Sequence, residues 1–108
     1  MTDAMVFPGW RELVRYASPG PEPTILHDEP DLRVLIAGLD PGGRIPPHPG
    51  PRAVYHFLEG EGLMLVDGES HRVAAGVTVI AAAGSSRGME ATTRLAFLGV
   101  RMGSEPRG

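Results

Sequence analysis

The sequence predicts an all-β domain, and three observations predict it. The 15 glycines and 11 prolines among 108 residues are too many for long helices, yet they fall as punctuation between short apolar runs. Those runs recur at near-regular spacing with no helical crossover between them, the pattern of a sandwich or barrel rather than a parallel sheet. In "LMLVDGESHRV", two runs rich in apolar and β-branched residues flank Asp67-Gly68, the dipeptide that supplies the positive φ angles of a two-residue I′ hairpin.

The expected strands follow in order. "RELVRYA" (11–17) and "TILH" (24–27) are separated by "SPGPEP", and "LRVLIAGL" (32–39) follows "DEPD" and is closed by "DPGG". The proline-rich stretch 44–52 reads as a loop, because its prolines pre-set an extended backbone and remove donors. "AVYHFLE" (53–59) comes next, then the hairpin, "VTVIA" (77–81), a short "RGMEA" (87–91) and "TRLAFLGVRM" (93–102). Leu95, Phe97, Met64, Met89 and Met102 fit alternating core positions, where methionine commonly fills gaps. Residues 1–8 and 103–108 are expected to be flexible ends of a single domain whose barrel spans about 9–102, and Trp10 is expected to anchor an N-terminal strand on a neighbour.

Composition excludes several functions. No cysteine is present, so disulfides, thiolate metal sites and thiol nucleophiles are out. All ten basic residues are arginine, scattered among thirteen acids, which leaves neither a lysine for Schiff-base chemistry nor a basic stripe for nucleic acid. There is no apolar run long enough for a membrane span and no secretory signal pattern, so a cytoplasmic location without membrane or nucleic-acid partners is expected.

Two glycine-framed motifs give the chain a resemblance. Gly42 lies six residues before His48, "FLEGEG" has the form of a strand end, and Gly76 is followed at matching spacing by Ala82, Gly84, Arg87 and Ala91. Over residues 32–102 the chain resembles the cupins, small antiparallel double-stranded β-helix (jelly-roll) barrels. The resemblance implies a metal site of three histidines and one glutamate and a homodimer. Carried over residue by residue, the first histidine is matched by His48. The second falls on Gly50 and the third on Arg87, while the glutamate falls on Tyr55 or, with one loop residue deleted, on Ala53. A first-row metal needs about three or four protein ligands, and this alignment leaves one, so no metal cofactor is expected.

Strand alternation places Ala53, Tyr55 and Phe57 inward and His56 outward, a hydrogen-bonded histidine packed under an N-terminal strand or a dimer partner. His27 and His71 read as solvated residues near turns. The ligand-binding candidates are therefore His48, Tyr55 and Arg87, with His48 also the candidate catalytic acid or base. A buried Arg87 must find an anion or other strong partners; its other reading is an outward residue paired with Glu90. Three functions stand: a metal-free cupin holding a small anionic metabolite; an isomerase, cyclase, dehydratase or decarboxylase using the same pocket; or a cupin holding one divalent metal ion through His48, His56, Glu59 and Glu61.

Overall fold

The computed structural model describes residues 4–103. Two sheets, antiparallel except where β1 joins β3, face each other across the core. One has the order β1-β3-β10-β5-β8, with β2 also pairing β3, and the other β4-β9-β6-β7. The strands are β1 (Tyr16–Ala17), β2 (Thr24–Glu29), β3 (Leu32–Leu39), β4 (Arg44–Pro49), β5 (Arg52–Glu59), β6 (Glu61–Val66), β7 (Glu69–Ala74), β8 (Thr78–Ala81), β9 (Ser86–Ala91) and β10 (Leu95–Met102). This is the jelly-roll barrel expected from the sequence. No helix among the described residues is long and apolar enough to cross a membrane. The expected flexible ends fall partly outside the described residues, at 1–3 and 104–108.

The inward faces follow the period of two. Leu35, Ala37 and Leu39 of β3, Tyr55 and Phe57 of β5, and Leu95 and Phe97 of β10 are buried in one core with Met64 of β6 and Met89 of β9. Phe97 lies beside both Tyr55 and Phe57, with ring centroids 6.0 Å apart in each pair, within the range of favourable tilted aromatic contacts. The hairpin at Asp67-Gly68 has φ of 47° and 85°, the left-handed pair that a I′ turn requires.

Two elements depart from expectation. β4 is a strand where a loop was read, and its prolines are tolerated because it is the edge of its sheet and its ladder to β9 shifts between Ile45 and His48, where Pro46 and Pro47 have no donor to give. The segment 11–17 is mostly not a strand. It forms a 3-10 turn at Trp10–Glu12 and then only β1, which runs parallel to β3 (Tyr16 beside Gly38) because β2 occupies the same edge of β3 from Leu32 to Ile36. Trp10 is half-buried within the chain, with the Arg11 guanidinium 4.4 Å from its ring centre.

A polar clasp holds this N-terminal segment. The Tyr16 hydroxyl donates to Glu59 at the end of β5, Arg11 donates to the same carboxylate at 2.7 Å, and the Arg94 guanidinium stacks 3.6 Å from the Tyr16 ring centre. Gly38 makes room for it, since a Cβ there would lie 2.8 Å from the Tyr16 ring and 2.9 Å from Val14. Burial, and then the Glu59 carboxylate, push the Tyr16 phenol up to about 12, while the bonds from Tyr16 and then Arg11 hold Glu59 below the usual carboxylate range. The folded chain therefore holds the Tyr16 proton more tightly than the unfolded chain. Its contribution is complete below the unfolded pKa of about 10 and is lost as the pH rises through about 12; the Glu59 contribution is lost as the pH falls below about 4.5. The difference in thermal midpoint between the parent and Tyr16→Phe should be flat across neutral pH and shrink at both extremes; a difference independent of pH would remove the clasp from the account.

Candidate functional site

The site begins with register. β4 and β9 pair so that His48 lies directly across from Arg87, and β6 places Val66 on the other side of Arg87. β5, in the opposite sheet, turns Tyr55 toward the same space, with Gly99 of β10 as its cross-strand partner. The expected residues His48, Tyr55 and Arg87 thus line one cavity of about 120 Å³, closed by apolar side chains that include Leu35, Met64, Met89 and Phe97. Pro21 and Pro23, carried by the clasped N-terminal segment, form part of its lip. His48 is exposed, whereas Tyr55 is 7% and Arg87 5% exposed.

Arg87 points inward, and Glu90 faces Arg44 instead, at 3.8 Å. Its guanidinium is bound by backbone. Nε donates to Ser85 O at 3.1 Å, Nη1 to Pro51 O, and Nη2 to Ala82 O at 2.8 Å, Gly50 O at 3.2 Å and Ser85 Oγ at 3.3 Å. Guanidinium has five N–H groups, so these bonds leave no free fork for bidentate capture of a ligand. They tie the β4–β5 corner to the β8–β9 loop. No carboxylate among the described residues pairs with Arg87, so its charge is solvated by dipoles yet not neutralised.

Gly50 explains how the guanidinium fits. A Cβ at Gly50 would lie 3.5 Å from Nη1 and 3.6 Å from Cζ of Arg87, an ordinary contact. Anything longer on that bond runs into the guanidinium. The glycine and the arginine are thus complementary, one vacating the space that the other fills.

The four residues of the metal-bound alternative are not brought together. His56 faces outward on β5 and shares a 2.7 Å hydrogen bond with Thr78, Glu59 belongs to the clasp with Tyr16, and Glu61 is exposed at the start of β6. Among the described residues no three of His, Asp and Glu are placed to share a metal ion. His27 and His71 stand beside Glu29 and Glu69, at 3.1 and 3.7 Å.

Arg101 also lines the cavity, and the reading of the sequence missed it. It sits two residues beyond Gly99 on β10, beside Ala53 of β5, on the inward parity of Leu95, Phe97 and Gly99. Alternation along "LAFLGVRM" is the signal that could have found it. The Tyr55 hydroxyl and the Arg101 guanidinium have no hydrogen-bond or ion-pair partner among the described residues.

The two facing sheets and the cavity between them define a double-stranded β-helix. The family model described as "Cupin domain" matches residues 35–100, and the chain belongs to the cupin family. Among solved structures, the chain is similar to a conserved protein of unknown function from Streptococcus pyogenes, 26% identical over 100% of this chain and 93% of that one, with a TM-score of 0.81. It is similar to a protein with a double-stranded β-helix domain from Klebsiella pneumoniae, 22% identical over 93% and 90% of the two chains, TM-score 0.83. It is also similar to a predicted oxalate decarboxylase from Thermotoga maritima, 28% identical over 65% and 64%, TM-score 0.62. No curated protein matches the chain.

Arg87→Ala should cost about 2–4 kcal/mol, because it strands the carbonyls of Pro51 and Ser85, while those of Gly50 and Ala82 keep donors from Gly84 and Ser85. Gly50→Ala should be tolerated, whereas Gly50→His should destabilise the parent. Combined with Arg87→Ala, its added cost should fall by about 1 kcal/mol or more, the coupling expected of side chains in contact. Urea denaturation measures the cycle, and strict additivity would contradict the fit between the two positions.

Proposed function

We propose that this cupin holds a small organic anion in its barrel without a metal ion. The observation that carries the reading is the composition of the cavity wall: two arginines, a phenol and an imidazole, no carboxylate, and an otherwise apolar lining. An apolar pocket with a few convergent polar groups is the usual form of a small-molecule site. Its size, about 120 Å³, is near that of the roughly 150 Å³ cavity that accepts benzene, which favours a small occupant of about six enclosed non-hydrogen atoms. Arg87 supports the anionic class through its buried, unneutralised charge, which needs no ligand fork to act at short range.

The metal of the family does not fit these residues. Of the positions that would carry ligands, only His48 has a donor suited to a first-row metal; Gly50 has none, Tyr55 or Ala53 replaces the carboxylate, and a guanidinium cannot bind a cation. No step of the proposed function runs through a metal. The Thermotoga maritima protein, whose description names oxalate, a small carboxylate, is in keeping with the anionic class. Binding is favoured over turnover because the one imidazole of the wall, His48, stands exposed at the rim, away from the enclosure that proton transfer uses.

A homodimer is part of the proposal. Val54, Leu58, Leu98 and Val100 lie on the outer face of the larger sheet at half exposure, and Ile80 on the edge strand β8 is 70% exposed, an apolar face that a second copy would cover. Light scattering should give twice the chain mass, and Ile80→Glu should halve it; a monomeric parent would remove the dimer.

Protein purified without chelator should carry well under one equivalent of iron, nickel, manganese or zinc by elemental analysis. A screen of small carboxylates should raise the thermal midpoint. Ligand at 100 times its dissociation constant adds about 2.7 kcal/mol, or roughly 10–20 °C for a domain of this size. One tightly held metal per chain, or no response to any carboxylate, would overturn the reading.

A further inference from the structure

We infer that Arg101 and Tyr55 form the recognition pair of the cavity, and that the pair selects a monocarboxylate bearing an oxygen at the adjoining carbon, a 2-oxo or 2-hydroxy acid with a short apolar tail. The inference rests on the proposed anion site and deepens it by moving recognition away from Arg87. Arg87 gives its Nε–H, one Nη1–H and its Nη2 hydrogens to Ser85, Pro51, Ala82 and Gly50, which leaves no pair of donors for a carboxylate. Arg101 lines the same cavity, is half-buried, and has no partner among the described residues, so its whole fork is available.

Register sets the spacing of the pair. Tyr55 lies directly across from Gly99, and Arg101 is two residues further along β10 on the same face. The two are diagonal neighbours, about 7–8 Å apart between backbones and within reach of long side chains. Between them Gly99 contributes no side chain, and a Cβ there would lie 3.2 Å from Leu35 Cδ1. The glycine leaves a floor over which a ligand can touch both residues.

The chemistry of each member then limits the ligand. A guanidinium fork at the rim takes a carboxylate. The Tyr55 hydroxyl, on a side chain 93% buried by its 7% exposure, is an unpartnered donor or acceptor facing the cavity. It requires a ligand oxygen a bond or two inward from the carboxylate, and a carbonyl or hydroxyl on the next carbon supplies it. Beyond that point the wall is Leu35, Met64, Met89 and Phe97, which accept only an apolar tail. A second carboxylate at the far end of the ligand would be desolvated against this wall with no free guanidinium fork to take it, since Arg87 is bound by backbone.

Calorimetric titration tests the pair with 2-oxobutyrate, its amide, butyrate and 2-oxoglutarate as probes. The parent should bind 2-oxobutyrate, and bind its amide and 2-oxoglutarate at least about tenfold more weakly. Arg101→Gln should lose about tenfold or more for 2-oxobutyrate, and Arg101→Lys should recover part of it because the charge remains without the fork. Tyr55→Phe should weaken 2-oxobutyrate down to the level of butyrate and leave butyrate unchanged. Arg101 bears no structural bond, so circular dichroism and the thermal midpoint of its variants should match the parent. If the parent binds carboxylates while Arg101→Gln binds them equally well, the recognition pair is wrong and the anion site stands. If the parent binds none of the probes and no other carboxylate, the anion site itself fails, and the pair with it.

Discussion

The guanidinium of Arg87 is the interaction on which the arrangement of the cavity depends. A charged group only 5% exposed with no acid beside it would be costly to bury, and the chain meets that cost with backbone dipoles. The carbonyls of Gly50 and Pro51 come from one corner of the barrel and those of Ala82 and Ser85 from the loop across it, so solvating the charge also ties the two together. A metal ion joining histidines from the two motifs would connect the same regions. Here an organic cation makes the connection, and Gly50 is the vacancy that admits it.

A division of labour between two arginines follows. Arg87 is held by backbone with no free fork and supplies structure and a fixed charge, while Arg101, lining the same cavity without a bond, keeps its donors for a ligand. The proposed anion site rests on the charge of Arg87, and the inferred recognition pair adds the fork of Arg101. The N-terminal clasp contributes indirectly: Tyr16 and Glu59 hold the segment that leads to Pro21 and Pro23 at the lip.

Much of this was legible in the sequence, and the parts that were not share a cause. β3 runs from Leu32 to Leu39, the limits that its apolar run and flanking turn residues mark, and the inward Tyr55 with outward His56 follows from alternation alone. The direction of Arg87 could not be read, because it is decided by carbonyls up to 37 residues away in the chain. β4 was hidden by its prolines, which forbid a central strand but not an edge one. The short β1 was overread because nothing local reveals that β2 claims the same edge of β3. Arg101 was not singled out, although its parity with Phe97 and Gly99 was visible in the sequence. In each case local pattern gave the element, and a partner distant in sequence set its use.

The measurement that bears most directly on the account is side-chain ¹⁵N NMR of the arginine Nε–H groups, followed during addition of chelator, divalent metal and a small carboxylate. The account predicts that the Arg87 Nε–H is protected from solvent exchange in the ligand-free protein and indifferent to chelator and metal, while the Arg101 signal moves on addition of carboxylate. Rapid exchange at Arg87, or a response of the cavity residues to metal with none at Arg101 to carboxylate, would contradict it.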